Sequence, residues 1–171
     1  MEQNPQNLEK LVGIKKFLIE ANKAGYGSGE ERVRVKESDG STTIRYENKD
    51  GHFSFHDNYF GGEPYGGREV IFDNNKPVWM MVYYGEVSNK EIDKNAVYSF
   101  LGKALLSAPD DLPVRGPLRL AETIEGREWV YDNTYTGDLE RFKGRETISL
   151  DGQQIYDADY SGGLVDVTQN V

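Results

Sequence analysis

The amino-terminal segment is apolar around most of its circumference when it is drawn as a helix over residues 7–24. Only Glu9, Lys16, Glu20 and Lys23 form a polar stripe at helical spacing. A helix with so wide an apolar arc packs on more than one side, and Gly25 stands where such a helix ends. The apolar positions are Leu8, Leu11, Val12, Ile14, Phe17, Leu18, Ile19 and Ala21.

Apolar positions with period two predict antiparallel strands in the next stretch. Val33 and Val35 alternate with charged neighbours, as in a short edge strand. Asp39–Gly40 predicts a hairpin turn into a returning strand at 42–46. Further strands are predicted at 52–60, 68–72 and 78–84, with a turn at 73–77.

A second helix is indicated by a start signal and by apolar spacing. Ser88 and Glu91 have the spacing of a capping box, in which both side chains satisfy backbone donors. Pro109 and Pro113 predict where the helix ends. Its apolar positions are Val97, Phe100, Leu101, Ala104 and Leu105. Three more strands are predicted at 128–135, 145–150 and 154–160, with a hairpin turn at Asp151–Gly152, before a polar tail from Asp166.

The chain resembles itself at a distance of 77 residues. Gly67–Gly85 aligns with Gly144–Gly162 without a gap, and six of the 19 positions are identical, where about one is expected by chance. With a one-residue gap, Phe53, Phe55, Tyr59 and Gly61 align with Trp129, Tyr131, Tyr135 and Gly137. We therefore predict an internal duplication of a helix and three strands. Coincidence between similar hairpins is the alternative.

These elements predict an α+β fold in which two helices pack on an antiparallel sheet with pseudo-twofold symmetry. We expect a single domain over residues 1–171, with halves at about 7–87 and 88–165. The order of the strands in the sheet is left open.

Alternation along the strands gathers aromatic side chains and one glutamate of each half on a shared face. The density of Tyr and Trp there is typical of pocket walls. The candidate ligand-binding residues are Glu69, Glu146, Phe55, Tyr59, Trp79, Tyr83, Trp129, Tyr131 and Tyr160. A ligand with a cationic or donor-rich end and a flat apolar body fits this set. Alternatively, both glutamates reach solvent or pair with an arginine.

The amino-acid composition excludes several classes of function and of cofactor site. The 171 residues carry a net charge of −9, which argues against direct binding to nucleic acid or to an anionic membrane. The lack of cysteine excludes thiolate catalysis and iron–sulfur clusters. The sequence has no apolar run long enough to span a membrane, and we expect a cytoplasmic protein without a cofactor. His52 and His56, on one strand, would lie about 13 Å apart, too far for one metal ion.

Several short motifs resemble a family of uncharacterised bacterial and archaeal proteins, classed as a domain of unknown function. They are Ala21–Tyr26, Tyr59–Glu63, Pro77–Met80, Tyr83–Gly85, Arg115–Pro117, Phe142–Glu146 and Ser161–Leu164. Members occur alone or behind a helix-turn-helix segment in proteins regarded as transcription regulators, which implies a sensor or effector-binding module. The element order is also similar to gyrase-inhibitor-like effector domains, and a cystatin-like sheet is the rival arrangement.

Three classes of function stay open. The first is a non-enzymatic domain that binds a small amphipathic ligand in an aromatic cleft between the halves. The second is an acidic module that binds a protein partner, as an inhibitor or immunity-type protein does, because acidic surfaces steer onto basic ones. The third is an enzyme that uses carboxylates, and the sequence favours a non-enzymatic role over it.

Overall fold

The structure is a computed structural model that describes residues 5–26, 33–112 and 114–165. Its helices are α1 (Pro5–Tyr26) and α2 (Lys94–Leu106). Its strands are β1 (Val33–Lys36), β2 (Thr42–Glu47), β3 (Phe53–Gly61), β4 (Tyr65–Asp73), β5 (Lys76–Val87), β6 (Arg119–Ile124), β7 (Arg127–Asp138), β8 (Arg141–Leu150) and β9 (Gln153–Leu164). Pro113 and the tail from Asp166 lie outside the described residues.

The described strands form one antiparallel sheet of nine strands in the order β1-β2-β3-β4-β5-β9-β8-β7-β6. The first five strands are consecutive, and the last four run back towards the middle. β5 and β9, which contain 12 residues each, meet at the centre. Two helices and an antiparallel sheet confirm the predicted α+β class, although more residues lie in strands than in helices.

The strands β3–β4–β5 and β7–β8–β9 pair in corresponding registers. Glu69 pairs with a β5 residue and Glu146 with a β9 residue, and these two partners are themselves 77 residues apart in sequence. A register irregularity follows Ile71 in the first set and Ile148 in the second, again 77 residues apart. The two sets therefore share their pairing geometry as well as their strand order.

The central pairing of β5 with β9 follows the same offset. Tyr83 lies directly opposite Tyr160, and these are the two residues that a 77-residue shift superimposes. In an antiparallel pair, side chains directly opposite each other lie on the same face of the sheet. Both tyrosines therefore lie on one face at the centre of the sheet.

Both helices pack on that same face, called here the helix-covered face. α1 packs into an apolar cluster with β2, β3, β4 and β5. α2 packs into a second apolar cluster with β7, β8 and β9. The α1 cluster includes Ile14, Phe17, Leu18, Phe55, Ile71, Trp79 and Met81. The α2 cluster includes Val97, Phe100, Leu101, Trp129, Ile148, Leu150 and Tyr156. The opposite side is called the helix-free face, because no described helix covers it.

Helix α1 packs over a narrower arc than its sequence predicts. Ile14, Phe17 and Leu18 are buried, but Leu8 is 53% and Val12 60% exposed. Among the described elements the helix contacts α2 and strand β2. It also continues through Gly25, the residue expected to follow its end.

Strand β6 was not expected from the sequence. Its residues alternate little in hydrophobicity, and most are exposed because β6 forms one edge of the sheet. Pairing with β7 over six residues, from Arg119 opposite Asp132 to Ile124 opposite Arg127, establishes it as a strand. In the described chain, neither helix combines the length and the apolar character needed to cross a membrane.

The predicted capping box at Ser88 is wrong, although the predicted buried face of α2 is confirmed. Ser88 directly follows β5, and its backbone N–H donates to the carbonyl of Ile155 on β9 at 2.9 Å, so it is tied to the sheet and not to the helix. The helix starts later, where Asp93 is the N-cap and its carboxylate accepts from the backbone N–H of Asn95 at 2.9 Å. The shift arises because β5 continues its pairing with β9 beyond its predicted end.

Substitution of Asp93 by alanine should lower the free energy of unfolding by about 1 kcal/mol, because the cap of α2 is lost. Ser88→Ala is the matched control and should change it by less than about 0.5 kcal/mol. Chemical denaturation of both variants measures the difference. A larger effect at Ser88 than at Asp93 would contradict this capping assignment.

Candidate functional site

A cleft of about 460 Å³ opens on the helix-covered face, between α2 and the first five strands. Alternation along β3, β4 and β5 places Asp57, Glu69 and Tyr83 on its wall. Apolar residues of β2 and α2, together with Arg34 and Arg115, also line it. The residues that determine its chemistry are Asp57, Tyr59, Tyr65, Glu69, Tyr83 and Tyr98.

Aromatic rings form much of the wall. The Tyr65 ring lies 5.9 Å from the Tyr83 ring and 5.7 Å, edge on, from the Tyr98 ring. Tyr98 donates its hydroxyl to Glu63, which also accepts from the backbone N–H of Val87 at 2.8 Å. Burial, and then the hydrogen bond to Glu63, raise the pKa of Tyr98, so its hydroxyl stays protonated as a donor. These contacts hold α2 against the β5 end of the cleft.

Two carboxylates lie side by side in the cleft. Asp57 on β3 is directly opposite Glu69 on β4, and residues so paired have Cβ atoms about 5 Å apart. The Tyr83 hydroxyl donates to Asp57 at 2.5 Å. Glu69 is only 3% exposed. The cleft wall therefore combines aromatic rings with two carboxylates, and Arg34 and Arg115 line the same cleft.

A buried ion pair contributes one residue, Arg115, to the cleft wall. The Arg115 guanidinium donates to both carboxylate oxygens of Glu146, with Nε 3.2 Å from Oε2. The Tyr131 hydroxyl donates to Oε2 at 2.7 Å and the Tyr156 hydroxyl to Oε1 at 3.0 Å. The side chains of Arg115 and Glu146 are 4% and 0% exposed. Four donor contacts thus compensate for a carboxylate that is completely removed from water.

Burial, and then the charge of Glu146, raise the pKa of Tyr131 and of Tyr156. Both hydroxyls therefore remain protonated donors to the carboxylate. The Tyr65 hydroxyl lies 2.6 Å from that of Tyr156. A chain of hydrogen bonds thus connects the cleft wall, through two tyrosines, to Glu146.

Arg115 also lies near the centre of the sheet. Its guanidinium carbon is 5.7 Å from the centre of the Tyr83 ring and 5.8 Å from that of Tyr160, so it interacts with both aromatic faces. The Tyr160 hydroxyl donates to Asn133 at 2.7 Å, just as Tyr83 donates to Asp57. The cation therefore lies between the two groups of strands, at the point where β5 meets β9.

Two glycines make room for the central tyrosines. A Cβ atom added at Gly67 would lie 2.6 Å from the Tyr83 hydroxyl, and one at Gly144 would lie 2.3 Å from the Tyr160 ring. Gly67 and Gly144 are the neighbours of these tyrosines on the adjacent strands. The rings can lie flat over the sheet only because these positions lack side chains.

The predicted site residues fall into three places. Glu69, Tyr59 and Tyr83 line the cleft. Glu146, Tyr131 and Tyr160 lie in the buried polar cluster around Arg115. Phe55, Trp79 and Trp129 belong to the apolar core, where they are between 0% and 8% exposed. The structure therefore brings three of the nine into the cleft and leaves the other six behind its wall.

The sequence analysis missed several cleft and cluster residues, among them Asp57, Tyr65, Tyr98 and Arg115. Asp57 has the same strand parity as Phe55 and Tyr59, so alternation alone could have found it. Tyr98 lies on α2, and Tyr65 follows a glycine-rich stretch. Arg115 lies between α2 and β6, where no periodicity gives a signal. Tertiary packing alone brings these last three to the site.

The two histidines lie away from the cleft. His52 pairs with Asp73 at 3.3 Å in the turn region, and His56 packs beside Phe72, their ring centres 4.8 Å apart. Burial, and then the charge of Arg45, lower the pKa of His56. Among residues 5–26, 33–112 and 114–165, no three His, Cys, Asp or Glu side chains are grouped so that they could hold a metal ion.

Comparison with known proteins gives one match. A family model described as a domain of unknown function (DUF5680) matches residues 57–165, which extend from β3 to the end of β9 and contain Asp57, Glu69, Arg115 and Glu146. No curated protein and no solved structure matches the chain significantly.

Substitution of Arg115 by methionine should lower the free energy of unfolding by about 3–5 kcal/mol, because it leaves the Glu146 carboxylate buried without its cation. Arg119→Met is the matched control. Arg119 pairs with Asp132 at 2.7 Å on the surface, and its loss should cost at most about 1 kcal/mol. Urea denaturation compares the two, and equal costs would contradict the structural role of the buried pair.

The buried tyrosines should make the fold sensitive to alkali. Burial raises the pKa of Tyr160 to about 12, and burial followed by the Glu146 charge raises the pKa of Tyr131 and of Tyr156 further. In the unfolded chain these hydroxyls ionise near pH 10. The unfolded state therefore loses protons first, so this stabilisation is complete below about pH 10 and falls as the pH rises.

Absorbance by tyrosinate, followed together with circular dichroism, tests this dependence. We expect part of the 11 tyrosines to ionise near pH 10 and the rest only together with cooperative unfolding. The chain in denaturant is the control, in which all tyrosines should ionise together. Complete ionisation near pH 10 with an intact fold would contradict the described burial.

Proposed function

The chain belongs to the DUF5680 family, and we propose that it is a non-enzymatic domain that binds a small amphipathic molecule in the cleft beneath α2. In this proposal it acts as a sensor or effector-binding module. The family description carries no activity, so the argument depends on the chemistry of the cleft.

The observation that carries the proposal is the set of tyrosines on the cleft wall. Tyr59, Tyr65, Tyr83 and Tyr98 surround a volume of about 460 Å³, which lies within the range of about 300–1,000 Å³ common for ligand sites. Their rings offer flat apolar surfaces, and their hydroxyls provide polar contacts at fixed positions. A flat ligand with one polar end matches both properties.

The chemistry of the side chains that line the cleft supports binding rather than catalysis. Tyr65 and Tyr98 have raised pKa values, first because they are buried, so their hydroxyls serve as donors and poorly as bases near neutral pH. The Arg115 guanidinium is bonded to Glu146. These groups can orient a ligand, and no described histidine lies on the cleft wall.

We further propose that the chain arose by internal duplication, with halves at about 7–87 and 88–165 in one domain. The equal registers and the irregularities after Ile71 and Ile148 support it. So do Gly61 and Gly137, which both adopt positive φ at the ends of β3 and β7. In this view the cleft lies between the strands of the first half and α2 of the second half, and Arg115 lies near the axis that relates the halves.

A protein partner is the second candidate. The net charge of −9 favours association with a basic protein. The helix-free face also exposes Val82 (45%) and Tyr84 (58%) near the centre of the sheet, and such side chains are common in interfaces. Salt-dependent binding of a basic protein that is lost in a Tyr84→Ser variant would favour this function.

Substitution of Gly62 by phenylalanine tests the cleft directly. Gly62 lines the cleft, and a Cβ atom there would have no heavy atom within 4 Å, so the ring should occupy ligand space without straining the fold. Gly102→Phe is the matched control, because Gly102 is equally open but lies on α2 outside the cleft.

The measurement is thermal stabilisation by a panel of small planar aromatic compounds, since a ligand that binds only the native state raises its stability. We expect one or more compounds to stabilise the wild type and Gly102→Phe, and to have no effect on Gly62→Phe. Equal responses in all three proteins would show that binding occurs elsewhere, and no response in any would contradict the proposal.

A further inference from the structure

We infer that a second pocket, on the helix-free face, binds an α-amino acid with a large apolar side chain, and that Arg68 and Asp39 hold its carboxylate and its ammonium group. This pocket is separate from the cleft beneath α2 and does not depend on the function proposed for that cleft. The inference rests on the charges that line the pocket and on the apolar side chains beside them.

The pocket has a volume of about 780 Å³ and lies over strands β2, β3, β4 and β5. Phe55 belongs to the apolar cluster of α1, so alternation along β3 places His56 and Asn58 on the opposite, helix-free face. Arg45 lies opposite His56 on β2, and Arg68 lies opposite Asn58 on β4. These four polar side chains therefore lie side by side on one face of the sheet.

Apolar side chains form one part of the pocket. Val70, Phe72 and Met80 line it and are only half-buried. A ligand that covers them removes their remaining apolar surface from water, which is favourable. Phe72 also packs against the His56 ring, with the ring centres 4.8 Å apart, so a flat aromatic group has a ring surface to stack on.

The turn between β1 and β2 forms another part of the wall. The Asn58 amide donates to the hydroxyl of Ser41 at 2.8 Å and to that of Thr43 at 2.9 Å. Asp39 Oδ1 accepts from the backbone N–H of Ser41 at 2.9 Å and from its hydroxyl at 2.7 Å. Asn58 is therefore a positioning residue, because it ties the turn and its Asp39 carboxylate to the pocket.

Four charged side chains line the pocket, two of each sign, namely Glu37, Asp39, Arg45 and Arg68. Arg45 and Glu37 form an ion pair at 3.2 Å and so neutralise each other. Burial, and then the charge of Arg45, lower the pKa of His56, so its ring is neutral at about pH 7. The remaining charges are one cation, Arg68, and one anion, Asp39.

Arg68 and Asp39 lie near each other without an ion pair between them. The hydrogen bonds from Ser41 lower the pKa of Asp39 most, and the charge of Arg68 lowers it further. Within the part of the chain that the structure describes, neither side chain forms an ion pair. Asp39 uses only Oδ1 in its bonds to Ser41, so Oδ2 can still accept, and the exposed Arg68 keeps its planar set of donors.

Two separated charges of opposite sign fit a zwitterion better than an ion of one charge. A simple carboxylate gains the contact with Arg68 but also lies near the Asp39 carboxylate, and a simple ammonium group meets the reverse. An α-amino acid carries both groups on one carbon atom, so it can satisfy Arg68 and Asp39 together. Its side chain then covers Phe72 and Met80.

Proton NMR titration with L-phenylalanine tests the inference, because the two histidines of the chain report where the probe binds. His56 lines the pocket and His52 does not. We expect the ring signals of His56 to shift and those of His52 to stay in place, both in the wild type and in Gly62→Phe, in which the cleft is blocked. A His52→Gln variant assigns the signals. The absence of a His56 shift would overturn the inference.

Two smaller analogues separate the contributions of the two charges. Phenylpropanoate lacks the ammonium group, and phenylethylammonium lacks the carboxylate. We expect each to bind about tenfold or more weakly than phenylalanine, as measured by the concentration dependence of the His56 shift. If either analogue binds as tightly as phenylalanine, the pocket does not select a zwitterion and the inference is wrong.

Arg68→Gln and Asp39→Asn assign each charge to its residue. Arg68→Gln should weaken phenylalanine and phenylpropanoate about tenfold or more and leave phenylethylammonium unchanged. Asp39→Asn keeps an oxygen for the bonds from Ser41, and it should weaken phenylalanine and phenylethylammonium while leaving phenylpropanoate unchanged. Both residues are exposed, so both variants should fold.

The chain offers a matched control for each variant. Arg141→Gln removes an exposed arginine of β8 that lies outside the pocket. Asp50→Asn changes an exposed turn residue whose Oδ1 accepts from the backbone N–H of His52 at 3.0 Å. Neither control should change the affinity for phenylalanine, and controls that weaken it as much as the pocket variants would contradict the assignment. The aromatic panel tests the cleft independently, so either site can fail without the other.

Discussion

The pairing of β5 with β9 is the interaction on which the rest of the structure depends. It joins two groups of strands into one sheet, and it does so with Tyr83 opposite Tyr160. Because these rings lie over Gly67 and Gly144, the centre of the helix-covered face is flat and leaves space for Arg115. The cleft and the buried ion pair both lie next to this central row. A shift of β9 by one residue would move Tyr160, and Ala158 opposite Glu146, to the helix-free face.

Burying a polar cluster in the middle of the core costs free energy, because its charges lose their contact with water. Arg115 and Glu146 are both almost completely removed from water, and apolar residues of similar volume would stabilise such a site at least as well. The ion pair instead fixes the positions of neighbouring side chains, because Glu146 accepts hydrogen bonds from the hydroxyls of Tyr131 and Tyr156. Through the contact of Tyr156 with Tyr65, the same cluster fixes one wall of the cleft.

The fold could be predicted from the sequence where periodicity was clear. The buried face of α2 and the orientation of Glu69 and Glu146 towards the core side followed from spacing alone. Strand β6 was missed because an exposed edge strand needs no alternation. Ser88 was misassigned because local capping signals do not reveal how far a strand continues to pair.

The site was less predictable than the fold, for a physical reason. Alternation of apolar and polar residues along a strand predicts which face of the sheet a side chain occupies. It does not predict whether a helix or a loop covers that part of the face. Trp79 and Trp129 share the face of Tyr83, yet the helices and loops bury them in the core. Arg115 and Tyr98 reach the cluster or the cleft only through tertiary packing, so no pattern within their own segments marks them.

The central pairing also determines what each half could do by itself. Each group of strands has one outer edge, β1 or β6, which is short and carries charged residues. Its inner edge, β5 or β9, is twelve residues long and carries apolar and aromatic side chains on the helix-covered face. A long, flat, apolar edge invites pairing with any other chain. Each group of strands therefore covers the inner edge of the other, and separating the two groups would expose both edges to pairing with other chains.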